Sequence, residues 1–286
     1  MTARARLHRD DSSWLGPISP SSRPNFLLLT WDSCRWDSFS KASLPRIRSV
    51  AKIHPAYSQA TFTLASHLAM YQGLLPHVRQ PIPYYNRYVR QLVRIRHRPT
   101  SMESLVSFPS DTPNIITGFR RFGYLTIGIA AMEWFHHPIL KDPYEKFHFT
   151  GIHGIRQVEL FSDDISSNHS RPFFALINFG ETHYPYRFSS DGVKDVEPTR
   201  AQAWDRVPTD REYDNEGFTA QIHCCQFLDD RLADIITVLK GCSAPTIVVL
   251  CGDHGECFGE DGAFGHGFYH PKVMEVPMAI FRVASY

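Results

Sequence analysis

The sequence predicts an α/β protein with a mostly parallel sheet, and three observations predict it. Two short apolar runs, Asn25 to Trp31 and Pro245 to Cys251, have the make-up of strands buried on both faces, and they lead to Asp32 and Asp253 respectively. Between them, apolar runs alternate with helix-period segments in a βαβ-like order. The second strand follows a long stretch, Glu216 to Lys240, in which Phe218, Ile222, Cys225, Leu232, Ile236 and Leu239 recur at helical spacing and Gly241 supplies a stop.

In chain order, residues 1–24 form a polar leader and 25–286 one catalytic domain. After the first strand, Leu64 to Leu74 reads as a helix that begins near Thr63. Pro81 to Pro99 is basic and aromatic, the profile of a surface loop with a short helix. Ile115 to Phe122 is expected to be helical, Gly123-Tyr124 a turn and Leu125 to Ala130 a strand. Pro172 to Phe179 is a further strand, followed by a loop from Gly180 to Tyr186. Residues 187–215 are polar and turn-rich, as in an insertion or lid, and Val276 to Phe281 is a final core strand.

Composition narrows the function classes. Of 286 residues, 43% are hydrophobic and 21% charged, the profile of a soluble globular protein. Lys plus Arg (30) and Asp plus Glu (29) nearly cancel, so no overall field would hold the chain to a nucleic acid polymer or an anionic membrane, and neither is expected as a partner. No stretch has the apolar length of a secretory signal or a membrane span, which leads to an expectation of cytoplasmic location. The six cysteines show neither CxxC spacing nor the density of a disulfide scaffold, and are read as reduced thiols.

The chemistry resides where the strands end. Parallel neighbours would bring Asp32, Asp253 and His254 to one mouth of the sheet, and carboxylate oxygens with an imidazole nitrogen bind divalent ions.

Three segments then carry a resemblance. Asn25 to Asp37 is similar to the opening segment of the sulfatase and phosphoesterase branch of the alkaline phosphatase superfamily. Thr63-Leu64-Ala65-Ser66-His67 resembles its T-x-P-S-H nucleophile segment, with Ala65 in place of proline. Gly252-Asp253-His254-Gly255-Glu256, Gly265-His266-Gly267 and Glu275-Val276-Pro277 resemble its SDHGE, GHG and RVP elements, in family order. Softer matches at Phe173 to Tyr186 and Phe227 to Arg231 extend the likeness over most of residues 25–282.

The resemblance implies an alkaline-phosphatase-like three-layer α/β/α sandwich. Because the chain stops soon after Phe281, it also implies that the usual C-terminal subdomain is lacking. It makes Asp32, Asp253, His254 and Thr63 ligands of a divalent ion (Zn, Mn, Ca or Mg), with Thr63 also the nucleophile. One ion is expected and a second left open, since no Asp-xxx-His pair occurs around Asn178 to His183. His183 and His266 would bind substrate and serve as general acid, and Asn86 or an arginine between Arg87 and Arg98 would hold an anionic group. Glu256 and Asp37 are expected to make structural hydrogen bonds, and His270 and Lys272 are weaker site candidates.

Threonine cannot mature to formylglycine, and the lysine of the sulfatase GKWH segment has no counterpart in Gly128-Ile129-Ala130-Ala131-Met132. A phosphate monoester, phosphodiester or phosphonate ester is therefore favoured over a sulfate ester. Two alternatives stay open: a sulfatase-like hydrolase working without formylglycine, and a catalytically degenerate relative that binds a metal or anion. A homodimer or a partner protein of one pathway is a further expectation.

Overall fold

A computed structural model describes residues 23–73, 94–95, 106–107, 114–168, 171–186, 188 and 213–285. Its main sheet has seven strands in the order β2-β11-β8-β1-β7-β5-β6. They are β1 (Asn25–Trp31), β2 (Ile53–Tyr57), β5 (Leu125–Ala130), β6 (Lys146–Phe149), β7 (Phe173–Phe179), β8 (Thr246–Gly252) and β11 (Glu275–Val283). From β8 through β6 every neighbouring pair is parallel, while β11 runs antiparallel to both β8 and β2. Two-stranded pairs, β3 (Arg94–Ile95) with β4 (Val106–Ser107) and β9 (Cys257–Phe258) with β10 (Phe264–Gly265), stand apart from it.

Alternation along the strands builds the layers. Leu27, Leu29 and Trp31 of β1 and Phe173, Ala175, Ile177 and Phe179 of β7 face one core. There they meet α1 (Trp36–Lys41), α2 (Pro45–Val50), α6 (Gly154–Ser166) and α7 (Asn215–Lys240). The opposite faces, with Phe174 and Leu176, pack against α3 (Thr63–Gln72), α4 (Ile115–Arg121) and α5 (Pro138–Lys141). The sandwich is therefore three-layered and its sheet mostly parallel, and β5 and β7 are buried at every position because helices cover both sides.

Polar side chains set the helix ends. Asp214 caps α7 by accepting from Gly217 N (2.8 Å), and Asn114 caps α4 by accepting from Ile116 N (2.8 Å). Asp229, on α7, accepts from Arg46 N and Ile47 N (2.8 and 2.9 Å), satisfying the first turn of α2 and fixing the two helices together. The helix after Thr63 stops at Gln72 because Gly73 takes a left-handed φ of 65°, two residues before the expected end at Leu74.

Other boundaries shift for similar local reasons. Pro172 and Pro245 lie just outside their strands, where a residue without an N–H costs no ladder bond. The edge strands β2 and β6 and the helix α6 were not expected from the sequence. β6 is only half-buried and short, with Lys146 and His148 alternating with Phe147 and Phe149, so its apolar signal is weak. Asn86, most of the arginine run and nearly all of 187–215 lie outside the described residues, as does the leader up to residue 22. No described helix is long and apolar enough to cross a membrane.

Candidate functional site

β1 and β8 pair in register, Trp31 opposite Gly252, so the residues that follow, Asp32 and Asp253, emerge side by side at the C-terminal edge of the central strands. The approach is tight: a Cβ at Gly252 would lie 2.6 Å from the Cys34 carbonyl oxygen, which explains the glycine before Asp253. Ser33 turns the chain with a φ of 57°, and its N–H donates to Asp253 Oδ1 (3.1 Å), joining the two loops. His254 N donates to the same oxygen at 2.9 Å.

Thr63 is the first residue of α3 and is 1% exposed. Its hydroxyl donates to Asp32 Oδ2 at 3.2 Å and stands 3.3 Å from His254 Nε2. His254 Nε2 is in turn 3.7 Å from Asp32 Oδ1 and 3.6 Å from Asp253 Oδ2. Tetrahedral ligands bound at about 2.1 Å sit about 3.4 Å from one another, and the three separations from His254 Nε2 are close to that spacing. Two further observations agree. Asp253 Oδ2 is buried with no hydrogen-bond partner. The His254 Nδ1–H can donate to Gly255 O (3.0 Å), the tautomer that leaves the Nε2 lone pair available. Asp32, Asp253 and His254 offer donor atoms that all lie within 4.8 Å of one another.

Electrostatics describes the same deficit of positive charge. Burial would raise the Asp32 carboxyl, but His254, His183, His67 and His266 together bring it below its ordinary range. At Asp253 burial and the neighbouring Asp32 charge act in one direction and push the carboxyl well up. Burial, helped by His266, takes His254 down to about 3, and burial also lowers His67.

The histidines expected to meet substrate also converge. The His266 ring lies 4.4 Å from the His254 ring and 5.3 Å from His183, centroid to centroid. His183 Nδ1 is 2.5 Å from Tyr184 O, and His266 Nδ1 is 3.6 Å from Glu256 Oε2. His270 instead caps α8 (Pro271–Met274) through Lys272 N (3.1 Å), and Lys272 Nζ pairs with Asp37 Oδ2 (2.7 Å). Both thus make structural contacts, as does Asp37, which also pairs with Arg35. Asn86 lies outside the described residues.

Several neighbours went unread in the sequence. His67 is wholly buried under Thr63, with Nδ1 2.9 Å from Thr63 O and Nε2 3.2 Å from Thr30 Oγ1. Asn178 donates to Thr30 Oγ1 (3.1 Å) and to Asp32 Oδ2 (3.3 Å). Gln221, from α7, donates to Ser33 O (2.9 Å) and Thr182 O (2.8 Å), clamping two loops at the mouth. The available signal was polarity in apolar company: Thr30 and Asn178 near the ends of buried strands, and Gln221 among the core-facing residues of α7.

Comparison with known families fits this geometry. The sulfatase family model matches residues 24–281. The chain belongs to the sulfatase family. Solved structures similar to this sulfatase-family chain include the C-terminal periplasmic domain of the phosphoethanolamine transferase EptC from Campylobacter jejuni, at 14% identity and a TM-score of 0.61 over 91% of this chain and 80% of that one. A protein of the alkaline phosphatase superfamily from Vibrio parahaemolyticus matches at 14% identity and 0.57, over 92% of this chain and 60% of that one. The C-terminal periplasmic domain of EcEptC from Escherichia coli, in complex with Zn, matches at 12% identity and 0.57, over 92% and 73%. These likenesses establish an alkaline-phosphatase-like fold. No curated protein matches the sequence significantly.

Proposed function

We propose that the chain is a metal-dependent enzyme that cleaves or transfers a phosphate mono- or diester or a phosphonate ester, with Thr63 as nucleophile. The observation that carries the reading is the buried Thr63 hydroxyl, 3.2 Å from Asp32 and 3.3 Å from His254 at the start of a ten-residue helix. Asp32, Asp253, His254 and Thr63 would hold one divalent ion. When bound, it would lower the pKa of the threonine hydroxyl and polarise the ester oxygen.

The chain's own groups would divide the remaining work. Thr63 releases its hydroxyl proton to solvent and its Oγ1 attacks phosphorus, the bond to the departing alcohol breaks, and that oxygen takes a proton from an imidazole of the His183–His266 pair. The first-turn N–H groups of α3 face the anionic group. Water, or a second alcohol in a transferase, then displaces the phosphorus group from Thr63 and restores the hydroxyl. Support for phosphorus over sulfur comes from the threonine, which cannot mature to formylglycine, and from structural neighbours named as phosphoethanolamine transferases. Membership of the sulfatase family favours a sulfate ester as the second reading.

A paired assay with aryl phosphate and aryl sulfate esters separates the two. Thr63→Ala should abolish turnover while leaving the melting temperature nearly unchanged, and a chelator should abolish turnover reversibly. Turnover by metal-loaded Thr63→Ala would defeat the nucleophile assignment.

A further inference from the structure

Two histidines stand at the mouth of the site, and their surroundings differ. His183 has a neutral carbonyl, Tyr184 O, beside its Nδ1. His266 has a carboxylate, since Glu256 Oε2 is the acidic atom 3.6 Å from its Nδ1, and that nitrogen makes no hydrogen bond of ordinary length. Glu256 is itself fixed: Tyr186 OH donates to Glu256 Oε1 at 2.5 Å, and Arg35 Nη1 donates to Glu256 O at 3.2 Å.

Tyr186 is held at some conformational cost. It is buried and has a φ of 54°, a left-handed conformation that bulky side chains rarely adopt. Its N–H donates to His183 O (2.8 Å), and its ring packs 5.7 Å from Phe258 and 5.9 Å from Tyr184. Burial and the adjacent Glu256 charge push its phenol well up, so the hydroxyl stays a donor. One strained residue thus ties the His183 loop to the carboxylate behind His266.

We infer that Tyr186 and Glu256 are positioning residues that orient His266, holding a proton on Nδ1 and leaving Nε2 as the working atom, so that His266 rather than His183 protonates the leaving group. The inference rests on the proposed phosphoryl transfer. A carboxylate behind an imidazole fixes its tautomer and stabilises the imidazolium, which a backbone carbonyl does less well. Catalytic hydrogen bonds are often this long in substrate-free enzymes and tighten when substrate binds.

The test compares Glu256→Gln and Tyr186→Phe with the parent enzyme on two esters of the same phosphate, one with an alkyl and one with a p-nitrophenyl leaving group. p-Nitrophenolate departs without a proton. The expected result is a kcat loss of roughly tenfold to a hundredfold on the alkyl ester for Glu256→Gln. The loss should be smaller for Tyr186→Phe, and the p-nitrophenyl rate should change little in either variant. Equal losses on both esters would mean a merely structural role and overturn the inference. A second readout needs no turnover: ring 15N shifts of His266, assigned with His266→Gln, should report a single Nδ1–H tautomer that Glu256→Gln abolishes. An Nε2–H tautomer in the parent, or one indifferent to Glu256→Gln, overturns the inference too. A parent protein inert on both esters, yet with the tautomer set by Glu256, would count against the Thr63 reading and not against the dyad.

Discussion

Two acidic clusters grow from the same pair of loops, and they are neutralised in opposite ways. In the first, Asp37 and Glu260 flank the Arg35 guanidinium at 2.5 and 2.6 Å, Lys272 adds a contact to Asp37 at 2.7 Å, and Phe218 and Phe258 lie against the guanidinium carbon at 5.3 and 5.0 Å. Burial would raise Asp37, but Arg35 and Lys272 hold it at about 2. In the second, Asp32 and Asp253 are fully buried, their ion-pair partners among the described residues are histidines only, and Asp253 is pushed upward. The first cluster is complete within the chain. Its neighbour has the form of a site completed by a cation from outside, as the proposed function requires.

The largest expected effect on stability breaks the first cluster. Arg35→Met leaves Asp37 and Glu260 facing each other without a guanidinium, and should destabilise the protein by about 3–5 kcal/mol in urea unfolding. A loss under 1 kcal/mol would mean that Lys272 alone neutralises the pair.

Glu181 sharpens the comparison as a buried acid without a close counter-ion. Burial drives it up to about 7, although N–H donors such as Gly154 N (2.6 Å) pull the other way. Its folded pKa lies above the unfolded value of 4.5, so its own contribution to stability is fully present below pH 4.5 and is lost as pH rises through about 7. The loss is about 3 kcal/mol. Glu181→Gln should flatten that slope between pH 5 and 8, and an unchanged slope would place the titration elsewhere.

The smallest effect has the reverse sign. Asp253→Asn keeps an oxygen for Ser33 N and His254 N but relieves the repulsion with Asp32. In excess chelator the variant should be more stable than the parent by on the order of 1 kcal/mol, and divalent ions should no longer raise its melting temperature. A less stable variant under those conditions would mean that the pair is already compensated.

Much of this was legible in the sequence wherever one residue pattern sufficed. β1 and β8 are near-continuous apolar runs, α7 has a clear helical period, and Thr63 begins its helix as expected. The antiparallel β11–β2 edge was not legible, because its pairing joins residues more than 200 positions apart and leaves no local trace. The same contrast holds in the site. Asp32, Thr63, Asp253 and His254 sit in recognisable segments and come together. His67 lies in the recognised segment too, but its contacts to Thr30 and Thr63 O appear only once α3 packs beside β1, and Asn178 and Gln221 gain meaning only when the sheet order places β7 beside β1 and lays α7 across their loops.

The most direct measurement is anomalous X-ray diffraction from crystals of the intact chain soaked in Zn²⁺ or Mn²⁺. A strong peak is expected at ligand distance, about 2.0–2.3 Å, from Asp32, Asp253 and His254, with the Thr63 hydroxyl turned toward it. A peak elsewhere, or none between the two aspartates while the ion occupies other sites, would contradict the proposed metal site.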